Sequence, residues 1–285
     1  MNSLKTVLLL GALSGLLLLG GEVIGGRTGL EYGLVLAAGM NFFSYFFSEK
    51  LALMSYSAQP VTPEQNPEVY TRVAPLVQSL TQRMGLPMPR LWLIPDDSPN
   101  AFATGRNPEH ASVAFTEGIL RLMSDRELEG VVAHELGHVL HRDILISSIA
   151  ATLASALTFL ARMAFWFGPR SSDDEERGGA WGGLLMLIVA PIAAMLIQFA
   201  ISRTREYSAD AASAKYTGDP NELIQALRKL ESGVARVPMD ANPATAHMFI
   251  VNPFSAGGLT RLFSTHPSTE ERIARLQAMS NAPLR

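Results

Sequence analysis

Apolar residues gather into four long runs along this chain, separated by stretches with the periodicities of water-soluble helices and strands. Val7 to Ile24 is almost wholly apolar, preceded by Lys5 and broken only by Glu22. Leu30 to Phe47 is a second run, opened by Glu31 and closed by Glu49-Lys50. Ile144 to Leu160 is apolar and continues past Arg162 to Phe167, and Trp181 to Ile201 carries no charge. Each run is near the length at which a helix spans hydrocarbon, about 20 residues. The first has the basic start and leucine-rich middle of a signal peptide. No small-x-small cleavage site follows it, so it reads as a signal anchor. With the second run it forms a hairpin across Gly25 to Gly29. The third and fourth runs could be buried core helices. The segment between them, 168–180, favours a second membrane hairpin because it holds Arg170, Asp173, Asp174, Glu175, Glu176 and Arg177. Arg162 belongs near the end of its span, where its head can reach water.

Between the runs the pattern changes. Gln59 to Pro67 is a polar, proline-rich linker. Glu68 to Met84 is an amphipathic helix with Val69, Val73, Leu76, Val77 and Leu80 on one side, kinked or split at Pro75 and stopped by Gly85. Strands are expected at Arg90–Ile94, Asn100–Thr104 and Ala111–Thr116. A short helix from Glu117 to Met123 leads into a longer one that starts at the capping box Ser124-x-x-Glu127, with no proline from Leu120 to Ile149 to break it. Further helices run from Ser202 through Tyr216, from Asp219-Pro220 to about Ser232, and from His266-Pro267-Ser268 to about Met279. Residues 234–262 read as a long loop. The expected fold is therefore mainly α: four transmembrane helices plus a cytoplasmic α+β catalytic domain with a small β-sheet. The chain divides into an N-terminal hairpin (1–54), a first catalytic part (55–143), a second hairpin (144–201) and a second catalytic part (202–285). Lys5, Lys50, Arg142, Arg203 and Arg205 lie on the catalytic side of the spans and Arg27, Arg170 and Arg177 on the other, which puts the catalytic side in the cytoplasm.

Composition narrows the chemistry. The 285 residues include no cysteine, so disulfides and thiolate metal sites are excluded and any metal must use His, Asp or Glu. A formal net charge of −3 gives no reason to expect a nucleic-acid partner. The capped helix carries His134-Glu135-Leu136-Gly137-His138. Residues four apart project from one helical face, so His134 and His138 can hold two corners of a tetrahedral Zn2+. Glu135 falls beside that metal, where it can take a proton from water. His141, farther along the same straight helix, cannot easily surround the ion with them. Glu206 and Asp210, one turn apart on another helix, offer a third ligand and a carboxylate to hold a ligating imidazole by its second nitrogen. A small sheet beside such a helix suits a peptidase, since a sheet edge can pair with an extended peptide.

These motifs together resemble the HtpX-type integral-membrane zinc proteases, relatives of the prenyl-protein CaaX endoproteases. The resemblance covers nearly the whole chain: an N-terminal hairpin, Asn100-Ala101-Phe102-Ala103-Thr104-Gly105, the His134–His138 motif, a second hairpin, Glu206-x-x-x-Asp210 and His266-Pro267-Ser268. It implies a zincin-like (gluzincin) fold and zinc on His134, His138 and Glu206, with Glu135 as acid/base. It also implies substrate pairing along Asn100, Ala101, Phe102 and Ala103, and a role in quality control of membrane proteins under stress. The tetrahedral oxyanion of peptide hydrolysis needs a donor beyond the metal; His266 is the candidate and Arg272 a weaker one. The expected partners are the lipid bilayer and membrane-protein or peptide substrates. A zinc-stabilised membrane scaffold without activity is the alternative, and it would have no need of Glu135.

Overall fold

The computed structural model describes residues 2–150, 203–237, 250 and 267–280, with the backbone alone at several positions before residue 26. Most of the second expected hairpin, from 151 to 201, and His266 lie outside the described residues. Helix α1 (Asn2–Ser55) is helical along its length but reverses at Gly26, whose φ of 56° falls in the left-handed region that glycine tolerates. Ser14 Oγ accepts a hydrogen bond from Asn41 Nδ2 at 2.9 Å. In a straight helix that pair would stand about 40 Å apart. A Cβ on Gly33 would lie 2.6 Å from the Leu17 carbonyl oxygen, so glycine lets the two limbs touch. The hairpin expected at Gly25 to Gly29 is thus present. Among the described residues no helix is long and apolar enough to cross a membrane, and the expectation of four spans rests on sequence hydropathy.

Past α1 the chain forms a four-stranded sheet from β1 (Gln59–Pro60), β2 (Arg90–Ile94), β3 (Ala101–Gly105) and β4 (Ala111–Thr116). Its order is β1-β2-β4-β3, with β2 and β4 parallel and the outer pairings antiparallel. The expected linker therefore contributes a strand: Gln59 pairs with Leu93 and Pro60 with Trp92. Proline can occupy such an edge position because it need not donate to the ladder. Alternation sorts the sheet's two faces. Leu91, Leu93, Val113 and Phe115 face the helical core, while Ile94, Phe102 and Ala114 pack on Ala52 and Leu53 at the end of α1.

Helix α2 (Pro67–Met84) stays single despite Pro75. Its buried stripe of Val73, Val77 and Leu80 joins Leu128, Val131 and Val132 in one core, and that packing outweighs the one backbone bond proline removes. Gly85 closes it in the left-handed conformation. Helix α3 (Glu117–Leu122) follows β4, and α4 (Asp125–Leu140) starts at Ser124 with the full capping box. Helix α4 then stops at Leu140, although no proline interrupts the chain from Leu120 to Ile149. Arg142 adopts φ 58°, Asp143 N–H bonds the His138 carbonyl at 2.8 Å, and helix resumes over residues 144–150. Helices α5 (Arg203–Thr217) and α6 (Pro220–Arg236) pack on α4, and α7 (Thr269–Ser280) packs on α6 and α5. A Cβ on Gly137 would sit 3.0 Å from Ala209 Cα and 3.1 Å from Ala212 Cβ, so this glycine lets α5 approach α4 closely.

Candidate metal centre

The approach of α5 to α4 at Gly137 brings Glu206 over the two imidazoles. His134 and His138 stand with ring centroids 4.9 Å apart and planes nearly perpendicular, at 88°. Glu206 Oε2 lies 3.8 Å from His134 Nε2, and Glu206 Oε1 lies 3.6 Å from His138 Nε2. Tetrahedral bonds of about 2.1 Å would set neighbouring donors about 3.4 Å apart. The three side chains therefore fit a tetrahedral metal with little movement, and the ligand atoms all fall within 4.8 Å of one another. His141, exposed at the end of α4, is not one of this group.

Each ligating ring is held from behind. His134 Nδ1 is 2.9 Å from Asp210 Oδ1, and His138 Nδ1 is 3.4 Å from Asp143 Oδ2. Carboxylates on both Nδ1 atoms leave both Nε2 atoms for the metal. Asp210 was anticipated in this role from its one-turn spacing to Glu206, but Asp143 was not. The left-handed turn at Arg142 is what swings Asp143 back beneath His138. An acid five residues beyond a ligating histidine, just where a helix could end, was the available signal.

Arg272 lies behind Asp210 rather than at an open face. It is 1% exposed, donating from Nε and Nη2 to the two carboxylate oxygens at 3.0 and 2.7 Å and from Nη1 to the Ile250 carbonyl at 2.9 Å. The expectation of an oxyanion donor is corrected on that ground: its guanidinium is committed to Asp210, beside the His134 ring at 3.4 Å. Burial opposes ionisation of Asp210, yet the Arg272 charge and the His134 ring hold its carboxyl down at about 2. For Glu135 burial dominates and pushes the carboxyl up, against the pull of His134 and His138. Burial works against charge on His138, but Asp143, Glu206 and Glu135 push it up to about 9.

The sheet edge reaches the same place. Among the described residues β3 has a strand partner on one side only. The Asn100 carbonyl accepts from Thr116 N–H at 2.9 Å, so Asn100 and Phe102 turn their backbone groups inward and Ala101 and Ala103 turn theirs to the open edge. Ala103 N–H donates to Glu135 Oε2 at 2.8 Å. Phe102 is buried, and the Asn100 side-chain oxygen accepts from Ile250 N–H at 3.3 Å.

Two helix-borne imidazoles, a carboxylate from a second helix, a buried glutamate and an adjacent sheet edge define a metallopeptidase site of the zincin kind. Residues 63–280 match the family described as Peptidase family M48. A Protease HtpX homolog from Desulfatibacillum aliphaticivorans is 55% identical over 96% of this chain and 89% of its own. Another, from Thermodesulfovibrio yellowstonii, is 52% identical over 98% of this chain and 99% of its own. The crystal structure of S. mikatae Ste24p matches with a TM-score of 0.52 at 19% identity, covering 96% of this chain and 64% of that longer one, a likeness of fold. The chain belongs to peptidase family M48 and is a metalloprotease.

Proposed function

We propose that this metalloprotease is a zinc endopeptidase anchored in the bacterial inner membrane by two helical hairpins. Its catalytic residues lie on the cytoplasmic side and act on membrane proteins during stress-related quality control. The observation that carries the chemistry is the convergence of His134, His138 and Glu206 with both Nδ1 atoms tied to carboxylates. Two imidazoles and one carboxylate suit zinc and leave room for water, as hydrolysis requires.

Zinc, when bound, lowers the pKa of water and polarises the scissile carbonyl. Everything else falls to the chain. Glu135, buried and raised in pKa, accepts a proton from the attacking water and returns it to the leaving amine. Ala101 and the Ala103 carbonyl offer outward backbone groups to an extended substrate, which binds as an added strand beside β3. Because Ala103 N–H already holds Glu135 Oε2, a substrate strand docking there lies within reach of the base. His266 remains the proposed donor to the developing oxyanion. Membrane anchorage is supported by the four apolar runs and the folded-back α1. The deciding experiment compares purified full-length protein with its Glu135→Ala variant, measuring zinc content and cleavage of an unfolded membrane-protein substrate. Equal cleavage by both at equal zinc loading would refute the reading.

A further inference from the structure

A second site lies where the apolar surface of α1 ends. The outer limb of α1 presents Tyr32, Val35, Phe42 and Met54 at 74, 72, 60 and 65% exposure, a surface suited to lipid. Near its end is a cleft of about 470 Å3, floored by Phe46, Phe47 and Trp92 and walled by the cations Lys50, Arg90 and Arg106. Those cations come from three separate elements: α1, β2 and the turn after β3. Among the described residues the one acid lining the cleft is Glu49, and it is engaged: it accepts from Arg90 at 2.5 Å and from Ser112 Oγ at 2.6 Å. Trp92 Nε1 also donates to Ser112 Oγ, at 3.0 Å, which fixes the indole in the cleft wall. Arg106 lies over the Phe46 ring at 5.6 Å. Lys50 and Arg106 thus bring two positive charges that Glu49 does not neutralise.

An aromatic floor continuous with an apolar helix face, rimmed by cations, matches an amphiphile with an anionic head. We propose that this cleft binds the headgroup of an acidic phospholipid, with its phosphate between Lys50 and Arg106 and its acyl chains along Phe42, Phe43 and Phe47. The assignment rests on the membrane part of the proposed function and is independent of the peptidase chemistry. A basic pocket beside membrane helices on the cytoplasmic side recognises such lipids, each cation contributing about a fivefold preference. A bound lipid would fix α1 to the outer face of the sheet through Trp92 and Arg90, on the side opposite the metal centre.

The test uses full-length protein purified in a neutral detergent. Short-chain phosphatidylglycerol, phosphatidylcholine with the same chains, and inorganic phosphate are titrated by calorimetry against the wild type and a Lys50→Gln/Arg106→Gln variant. Arg90 is left in place so that its pair with Glu49 survives. The expected result is at least tenfold tighter binding of phosphatidylglycerol than of phosphatidylcholine, reduced to near parity in the variant, with thermal stability and peptide cleavage retained. Equal binding of the two lipids, or an undiminished preference in the variant, overturns the site. Inorganic phosphate binding as tightly as phosphatidylglycerol overturns the lipid assignment in favour of a free-anion site. A protein that leaves the membrane without detergent would remove the membrane reading and this site together. A detergent-requiring protein with no headgroup preference removes the site alone.

Discussion

Glu135 and Asp210 are both buried carboxylates beside the metal donors, Glu135 next to His134 in the chain and Asp210 against the His134 ring, yet their surroundings drive them in opposite directions. Glu135 has no cation of its own and burial raises it, which suits a proton acceptor. Asp210 faces Arg272 and stays ionised, which suits a clamp on His134. Glu135→Ala should therefore retain zinc and fold while losing at least about a hundredfold in peptide hydrolysis, read by metal analysis beside turnover. Asp143→Ala and Asp210→Ala should each weaken zinc affinity by roughly ten- to a hundredfold. Asp210→Ala should also lower stability sharply, by about 3–5 kcal/mol, because it strands the buried Arg272 charge, and Asp143→Ala should cost less, because Arg205 stands 4.0 Å from Asp143 with no hydrogen bond between them. Equilibrium unfolding of the two variants, alongside competition with a zinc chelator, separates these effects.

Among the elements, the α4–α5 contact decides whether a site exists. Gly137→Ala would push a methyl against Ala209 and Ala212, displacing Glu206; about 1–3 kcal/mol of stability and most of the zinc affinity should go with it. A zinc titration of this variant that matched the wild type would show that α5 is not held at that point. The junction of α4 with α6 carries a different liability. Glu222, beside Glu129 and Asp219, is pushed up to about 7, mainly by burial, and its Oε2 has no hydrogen-bond partner among the described residues. Because its folded pKa exceeds the unfolded value, its contribution is full below about pH 4.5 and is lost as pH rises through 7. Glu222→Gln should thus raise the melting temperature at pH 8 and leave it nearly unchanged at pH 5. Allowing about 1 kcal/mol for a partly solvated group, the gain is roughly 2–4 °C. At this scale the sequence was readable where local chemistry decides: the capping box at Ser124, the stop at Gly85, and the strand Ala111–Thr116. It misled where tertiary packing decides. Pro75 sits inside a helix kept in one piece by its neighbours, Gln59-Pro60 becomes a strand by pairing with β2, and the break at Arg142 follows from no proline or glycine at all. The one-turn pair Glu206 and Asp210 could be found by spacing, but Gly137 acquires its meaning only when α5 lies against it.

For the whole molecule, the metal donors frame the second expected hairpin. His138 precedes it and Glu206 follows it, each within a few residues of the apolar run, so the metal should lie about 10–15 Å from the cytoplasmic membrane surface by helical rise. If the full-length protein is monodisperse without detergent or lipid, both the anchorage and this placement fail. The folded-back α1 and the aromatic limb it exposes make extraction dependent on detergent the expected outcome.

The distance along the chain between the site's parts has a consequence for biosynthesis. His134 and His138 emerge from the ribosome long before Glu206, and Arg272, which secures Asp210 behind His134, comes later still. A nascent or truncated chain therefore holds the acid/base glutamate and two imidazoles without the third donor or its brace. Under the proposed chemistry, competence waits until both Glu206 and Arg272 have been made, so the earlier segment cannot cleave on its own.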